Sequence, residues 1–157
     1  MFRDITTLLK NKEAFKKAVG LLAQKYRKAN IDYVVAVEAR GFILGGALAL
    51  KLGAGFVPVR KKGKLPGKTQ QVTYSLEYGA DTLEIHEDAL ELGARVLLVD
   101  DLLATGGTVK AVVDLVKQFN VEICGIVFLI ELTDLKGKDK LKEYNLTSLV
   151  KFKETES

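Results

Sequence analysis

Residues 96–108, VLLVDDLLATGGT, join an apolar run to two adjacent carboxylates and then to a bend of small and hydroxyl-bearing residues. Gly106 and Gly107 carry no Cβ, so their amides can approach an oxygen-rich anion closely, and Thr105 and Thr108 add hydroxyl donors. If a helix begins here, its positive end faces the same anion. A phosphate suits that bend. The loop is neither of the two common nucleotide loops, because neither GxxxxGK[ST] nor GxGxxG occurs in the chain. Asp100 and Asp101 repel one another, which raises one carboxyl pKa or calls for donors and cations nearby; sugar hydroxyls or a hydrated metal would supply them. Successive strand residues face opposite ways, so spacing alone leaves open whether both carboxylates meet one ligand or Asp100 merely ends the strand.

A second constellation is RKKGKLPGK, residues 60–68, in which five cations and no acid surround two glycines and a proline. It points to an anionic ligand or to a solvated loop. Elsewhere the 24 basic and 20 acidic residues are interleaved, giving a net charge of +4, which does not form a nucleic-acid stripe. With one cysteine, Cys124, and one histidine, His86, the chain has neither a disulfide pair nor a zinc quartet. Cys124 is expected to be a small buried hydrophobe and His86 a surface or interface residue. No signal core opens the chain and no apolar stretch has bilayer length, so a soluble, cytoplasmic protein without membrane contact is expected.

The elements that would hold these groups follow from periodicity. Asn11 can cap a helix with apolar positions Phe15, Val19, Leu22 and Tyr26, ending near Asn30. Tyr33 to Val37 reads as a buried strand, Gly41 to Leu52 as a small-residue helix stopped by Gly53, and Phe56 to Val59 as a short strand. Gln71 to Glu77 and Thr82 to His86 read as a hairpin arm turning at Gly79. RVLLVDD, Gly107 to Phe119 and EICGIVFLIEL repeat strand, helix, strand. A weaker helix over Leu135 to Glu143 and a strand over Leu146 to Phe152 close the chain. The 157 residues therefore predict one α/β domain whose mostly parallel, twisted sheet is flanked by helices.

The chain resembles the type I phosphoribosyltransferases, and among them the members that act on adenine. The likeness runs from about Phe2 to Phe152. VLLVDDLLATGGT resembles the family's site for 5-phosphoribosyl-1-pyrophosphate (PRPP), VEARGF (37–42) its pyrophosphate-side loop, and RKKGKLPGKT with YSLEYG (74–79) the lid of the adenine-specific members.

That resemblance implies transfer of the 5-phosphoribosyl group of PRPP to adenine, giving AMP and pyrophosphate, with Mg2+ held mainly by PRPP. It assigns the 5-phosphate to Ala104, Thr105, Gly106, Gly107 and Thr108, and the ribose hydroxyls to Asp100 and Asp101. Ala39, Arg40 and Gly41 would line the pyrophosphate pocket, beside a non-proline cis peptide, and Arg60, Lys61 and Lys64 would stabilise the departing pyrophosphate. Glu77 is the residue expected to exchange a proton with the base, with Tyr78 in the lid, and Phe2, Arg3 and Leu102 are expected to contact adenine. The lid spans 60–80 and a hood contribution lies near 1–10; family members carry some two dozen more residues ahead of FRDI. A homodimer is implied. The alternatives are a phosphoribosyltransferase for another purine base and a non-catalytic PRPP-binding regulator.

Overall fold

The computed structural model describes residues 5–76 and 78–153. A short helix α1 (Thr6–Lys10) leads into α2 (Lys12–Tyr26). The junction is Asn11, whose side chain accepts hydrogen bonds from the amides of Glu13 and Ala14 at 3.1 and 3.0 Å, the cap expected of that residue. Then come β1 (Tyr33–Val37), α3 (Arg40–Leu52), β2 (Gly55–Lys61), β3 (Thr69–Leu76), β4 (Gly79–His86), β5 (Arg95–Leu103), α4 (Gly107–Lys117), β6 (Glu122–Leu132) and β7 (Leu146–Phe152).

The strands form one seven-stranded sheet in the order β3-β4-β2-β1-β5-β6-β7. The run from β2 to β7 is parallel, and β3 and β4 add an antiparallel edge. Alternation along the central strands divides the core. Val34, Ala36, Leu97 and Val99 face α2 and α3, while Val35, Val37 and Leu98 face α4. Parallel strands covered on both faces must be apolar on both faces, which is why RVLLV and GIVFL have no polar alternation. After β1 the chain first crosses to β2 on one side and later to β5 on the other. This reversal opens a crevice at the carboxyl ends of β1 and β5.

The β3–β4 hairpin forms as expected and is bound into the sheet: β4 joins β2 through the pairs Arg60↔Glu84 and Lys61↔Leu83, and Leu83 and Ile85 are buried in the core that α4 covers. An apolar alternation on β4 has somewhere to go, so it packs. The helix expected over Leu135 to Glu143 is replaced by two short 3-10 turns, Thr133–Leu135 and Gly137–Leu141. Lys136 between them takes a left-handed conformation at φ 54°, which no α-helix accommodates. Cys124 is half-buried rather than buried, near the start of β6, where burial pushes its thiol pKa up. His86 is also half-buried. No helix among the described residues is long and apolar enough to cross a membrane.

Candidate active site

β5 delivers Asp100 and Asp101 to the crevice because its buried run ends there. The chain then bends through Ala104 and Thr105 to Gly106, which precedes α4 at φ 87° and ψ 0°. A side chain at Gly106 would be strained by that φ, and its Cβ would lie 2.7 Å from the carbonyl oxygen of Gly137. Gly106 is thus required by the backbone on two counts besides any closeness to an anion. Gly107 differs: a Cβ there would meet only Thr105 Oγ1, at 4.0 Å. No side chain caps α4, and its first residues line a cavity of about 90 Å³ together with Asp100 and residues 102–106. That is roughly the room of three waters.

The two carboxylates part company, as strand alternation requires. Asp100 lines the cavity, and its Oδ1 accepts the amide of Asp101 at 2.8 Å. Burial, reinforced by the charge of Asp101, holds the Asp100 carboxyl well above the ordinary carboxylate range, with Arg40 pulling weakly the other way. Asp101, 5% exposed, turns to α3, where its Oδ2 lies 3.0 Å from Arg40 Nε. α3 approaches this pair closely because Gly41 has no side chain; a Cβ there would stand 3.0 Å from Asp100 Oδ1. Ala39 precedes α3, and the peptide between Glu38 and Ala39 is cis, the non-proline cis bond expected beside Arg40. The bend and the VEARGF loop therefore meet across the twin aspartates.

Glu38, which sequence reasoning did not single out, ties the basic segment to this crevice. Its Oε1 accepts from Arg60 Nε at 3.2 Å and from the Lys61 amide at 2.8 Å. Partial burial opposes its charge, yet the Lys61 amide and the Arg60 guanidinium hold its carboxyl below the usual value, with help from the field of Lys64. Lys61 Nζ lies 3.5 Å from Asp81 Oδ2. The loop that follows is pinned at its root by buried Glu84, whose Oε1 accepts from the Gly63 amide at 3.2 Å and Gln71 Nε2 at 2.9 Å.

Asp100, Leu102, Ala104, Thr105, Gly106, Gly107 and Thr108 share one cavity. Ala39, Arg40 and Gly41 abut it, and Arg60 and Lys61 join the same loop through Glu38. Lys64 is exposed in its loop, and Tyr78, 95% exposed, lines no part of the cavity. Phe2, Arg3 and Glu77 lie outside the described residues. Glu38 had a signal, being the one acid of VEARGF. Glu84 had none beyond an acid placed between apolar Leu83 and Ile85.

For a magnesium ion, the described residues contain no group of three His, Cys, Asp or Glu placed to hold it. The carboxylates at the crevice are Asp100 and Asp101, so a hard cation there would take most of its oxygens from water and substrate.

Three comparisons extend the geometry. The phosphoribosyl transferase domain family matches residues 4–156. An adenine phosphoribosyltransferase of Clostridium kluyveri is 58% identical over 151 residues, covering 96% of this chain and 88% of that protein. Among solved structures, an adenine phosphoribosyltransferase of Thermoanaerobacter pseudethanolicus aligns with a TM-score of 0.92 at 51% identity, covering 96% of this chain and 88% of its own. The Saccharomyces cerevisiae adenine phosphoribosyltransferase, complexed with an imino-altritol bisphosphate and adenine, aligns with a TM-score of 0.88 at 41% identity, covering 94% and 86%.

Proposed function

The chain belongs to the phosphoribosyltransferase family, and on that footing we propose how its residues share the work. Its reaction is transfer of the 5-phosphoribosyl group from PRPP to adenine, giving AMP and pyrophosphate in purine salvage. The observation that carries the assignment of roles is the uncapped start of α4, lining one cavity with Asp100 and the glycine bend.

In this reading Ala104 to Thr108 hold the 5-phosphate through amides and hydroxyls. Asp100 accepts from the ribose hydroxyls, and the hydrogen bonds that do so replace the water lost by its half-buried carboxylate. Asp101 serves the sugar site partly through Arg40, whose guanidinium it holds at the pyrophosphate side. Departure of pyrophosphate leaves an electron-poor sugar, so the reaction gains most from positive charge on the leaving group. Arg40, Arg60, Lys61 and Lys64 supply that charge, and magnesium bound with PRPP would add to it. In this reading the segment 60–80, whose residues 61–64 and 66–68 are exposed, closes over the substrates as a lid, excluding water that would otherwise hydrolyse the activated sugar.

We assign proton exchange with adenine to Glu77 on the strength of its place in YSLEYG, and base contact to Phe2, Arg3 and Leu102. Leu102 lines the same cavity as Asp100. We also propose a homodimer. Ile43 and Leu50 recur at helical spacing on α3 and are 47% and 86% exposed, with Phe56 on β2 adding 36%. A second copy would cover an apolar strip that water otherwise faces.

Initial rates of pyrophosphate release with adenine, hypoxanthine, guanine and xanthine test the substrate assignment. Adenine is expected to exceed the others by at least about 100-fold, the discrimination that misplaced hydrogen-bonding groups in a base pocket impose. Comparable rates with hypoxanthine would move the assignment to another purine.

A further inference from the structure

The cavity at the bend is lined by Asp100 and residues 102–109, and none of them is cationic. A phosphate monoester brings nearly two negative charges at neutral pH, to a cavity already lined by Asp100. Amides and hydroxyls offer only partial charges in return. A full positive charge reaches the bend from 35 residues along the chain: Lys140 Nζ donates to the carbonyl oxygen of Thr105 at 2.6 Å.

The turn that carries Lys140 is fitted to the bend. Gly137 packs so closely that a Cβ on it would overlap the Ala104 carbonyl oxygen and stand 3.1 Å from the Gly106 nitrogen. At the turn's other end Leu141 is 1% exposed in the core, which anchors the segment. A peptide unit is planar, so a clamp on the Thr105 carbonyl also fixes the direction of the Gly106 N–H. Lys140 thus bears on the bend's geometry and on its charge together.

We propose that Lys140 is a positioning residue for the 5-phosphate: it orients the Thr105–Gly106 peptide and offsets the negative charge of the bound phosphate. The proposal rests on the reading that the phosphate occupies this bend. Because Lys140 is exposed, its replacement leaves the core intact.

The test is calorimetric affinity for ribose 5-phosphate at low ionic strength, in the wild type and in Lys140→Met, Lys140→Arg and Thr108→Val. Lys140→Met is expected to bind about 3 to 10 times more weakly, as loss of a charge-assisted hydrogen bond and a nearby charge would do. Its melting temperature should stay unchanged, and Lys140→Arg should recover most of the affinity. Wild-type affinity in Lys140→Met alongside weakened Thr108→Val would overturn the role of Lys140 while leaving the phosphate at the bend. An arginine variant as weak as the methionine variant would also overturn it. Wild-type affinity in all variants would remove the phosphate from the bend, and the proposal with it.

Discussion

Asp100 sets a proposed role in ribose binding against the stability of the fold. Burial and the adjacent Asp101 charge raise its carboxyl pKa, so folding favours the protonated acid. The stability it contributes is therefore complete below the ordinary aspartate value and is lost as pH rises through the folded value. Ionising Asp100 beside Asp101 therefore costs folding free energy. Asp100→Asn should raise the melting temperature at pH 7.5 by about 2 to 4 °C, the shift that ~1 kcal/mol produces in a chain of this length. The gain should shrink as the pH is lowered into the acid range, where the wild-type carboxyl is neutral too. The same variant should bind PRPP more weakly; equal melting temperatures at both pH values would contradict the assignment of strain to this pair. Glu77→Gln removes a titratable proton while keeping the shape of the side chain. It should lower turnover by about 100-fold or more with PRPP affinity within about twofold, the signature of lost general acid–base work. The sequence made the tension between Asp100 and Asp101 legible, but not which carboxylate faces the cavity. That depends on which face of β5 meets α3, a property of the sheet rather than of the dipeptide.

At the level of elements, the bend between β5 and α4 answers to two different demands. Gly106 is fixed by its positive φ and by the Gly137 backbone, so Gly106→Val would disturb folding as well as binding. Gly107, with ordinary φ and open space at its Cβ, separates the two. Gly107→Ala should leave the melting temperature equal or slightly higher, since alanine is favoured over glycine in a helix by up to about 1 kcal/mol. Its KM for PRPP should rise about tenfold, because a methyl group then stands where the phosphate approaches the amides. An unchanged KM, measured at saturating adenine, would place the anion elsewhere. Strands β1, β6 and β7 were legible to the residue, β1 and β6 because buried apolar runs of that length admit few other readings. The segment 133–141 was not. Its apolar positions suit a helix, and only its packing against Gly106, a contact across the sheet edge, forces it into short tight turns. The hairpin was legible as two strands, but its union with β2 hangs on two residue pairs that no local pattern announces.

Over the whole molecule, charge and apolar surface are distributed as a two-substrate transferase needs. In the proposed reading Arg40, Arg60 and Lys61 serve the leaving pyrophosphate, while the amides and hydroxyls of the bend, with Lys140 on the Thr105 carbonyl, serve the 5-phosphate. Such a division would orient PRPP before chemistry begins. The exposed apolar residues Ile43, Leu50 and Phe56 lie on α3 and β2, the elements that also carry Arg40 and Arg60. Ile43→Glu should shift sedimentation from dimer to monomer, and a wild type that sediments as a monomer would contradict the assembly outright. The family resemblance was legible because its motifs are contiguous; the contacts of Glu38, Glu84 and Lys140 were not, because each joins segments more than a dozen residues apart.

The most direct measurement is a crystal structure of the enzyme with PRPP and magnesium. The 5-phosphate is expected between Ala104 and Thr108, within hydrogen-bond reach of the α4 amides, with the ribose on Asp100. A 5-phosphate bound away from residues 104–108, or one held by the lid cations instead, would contradict that placement.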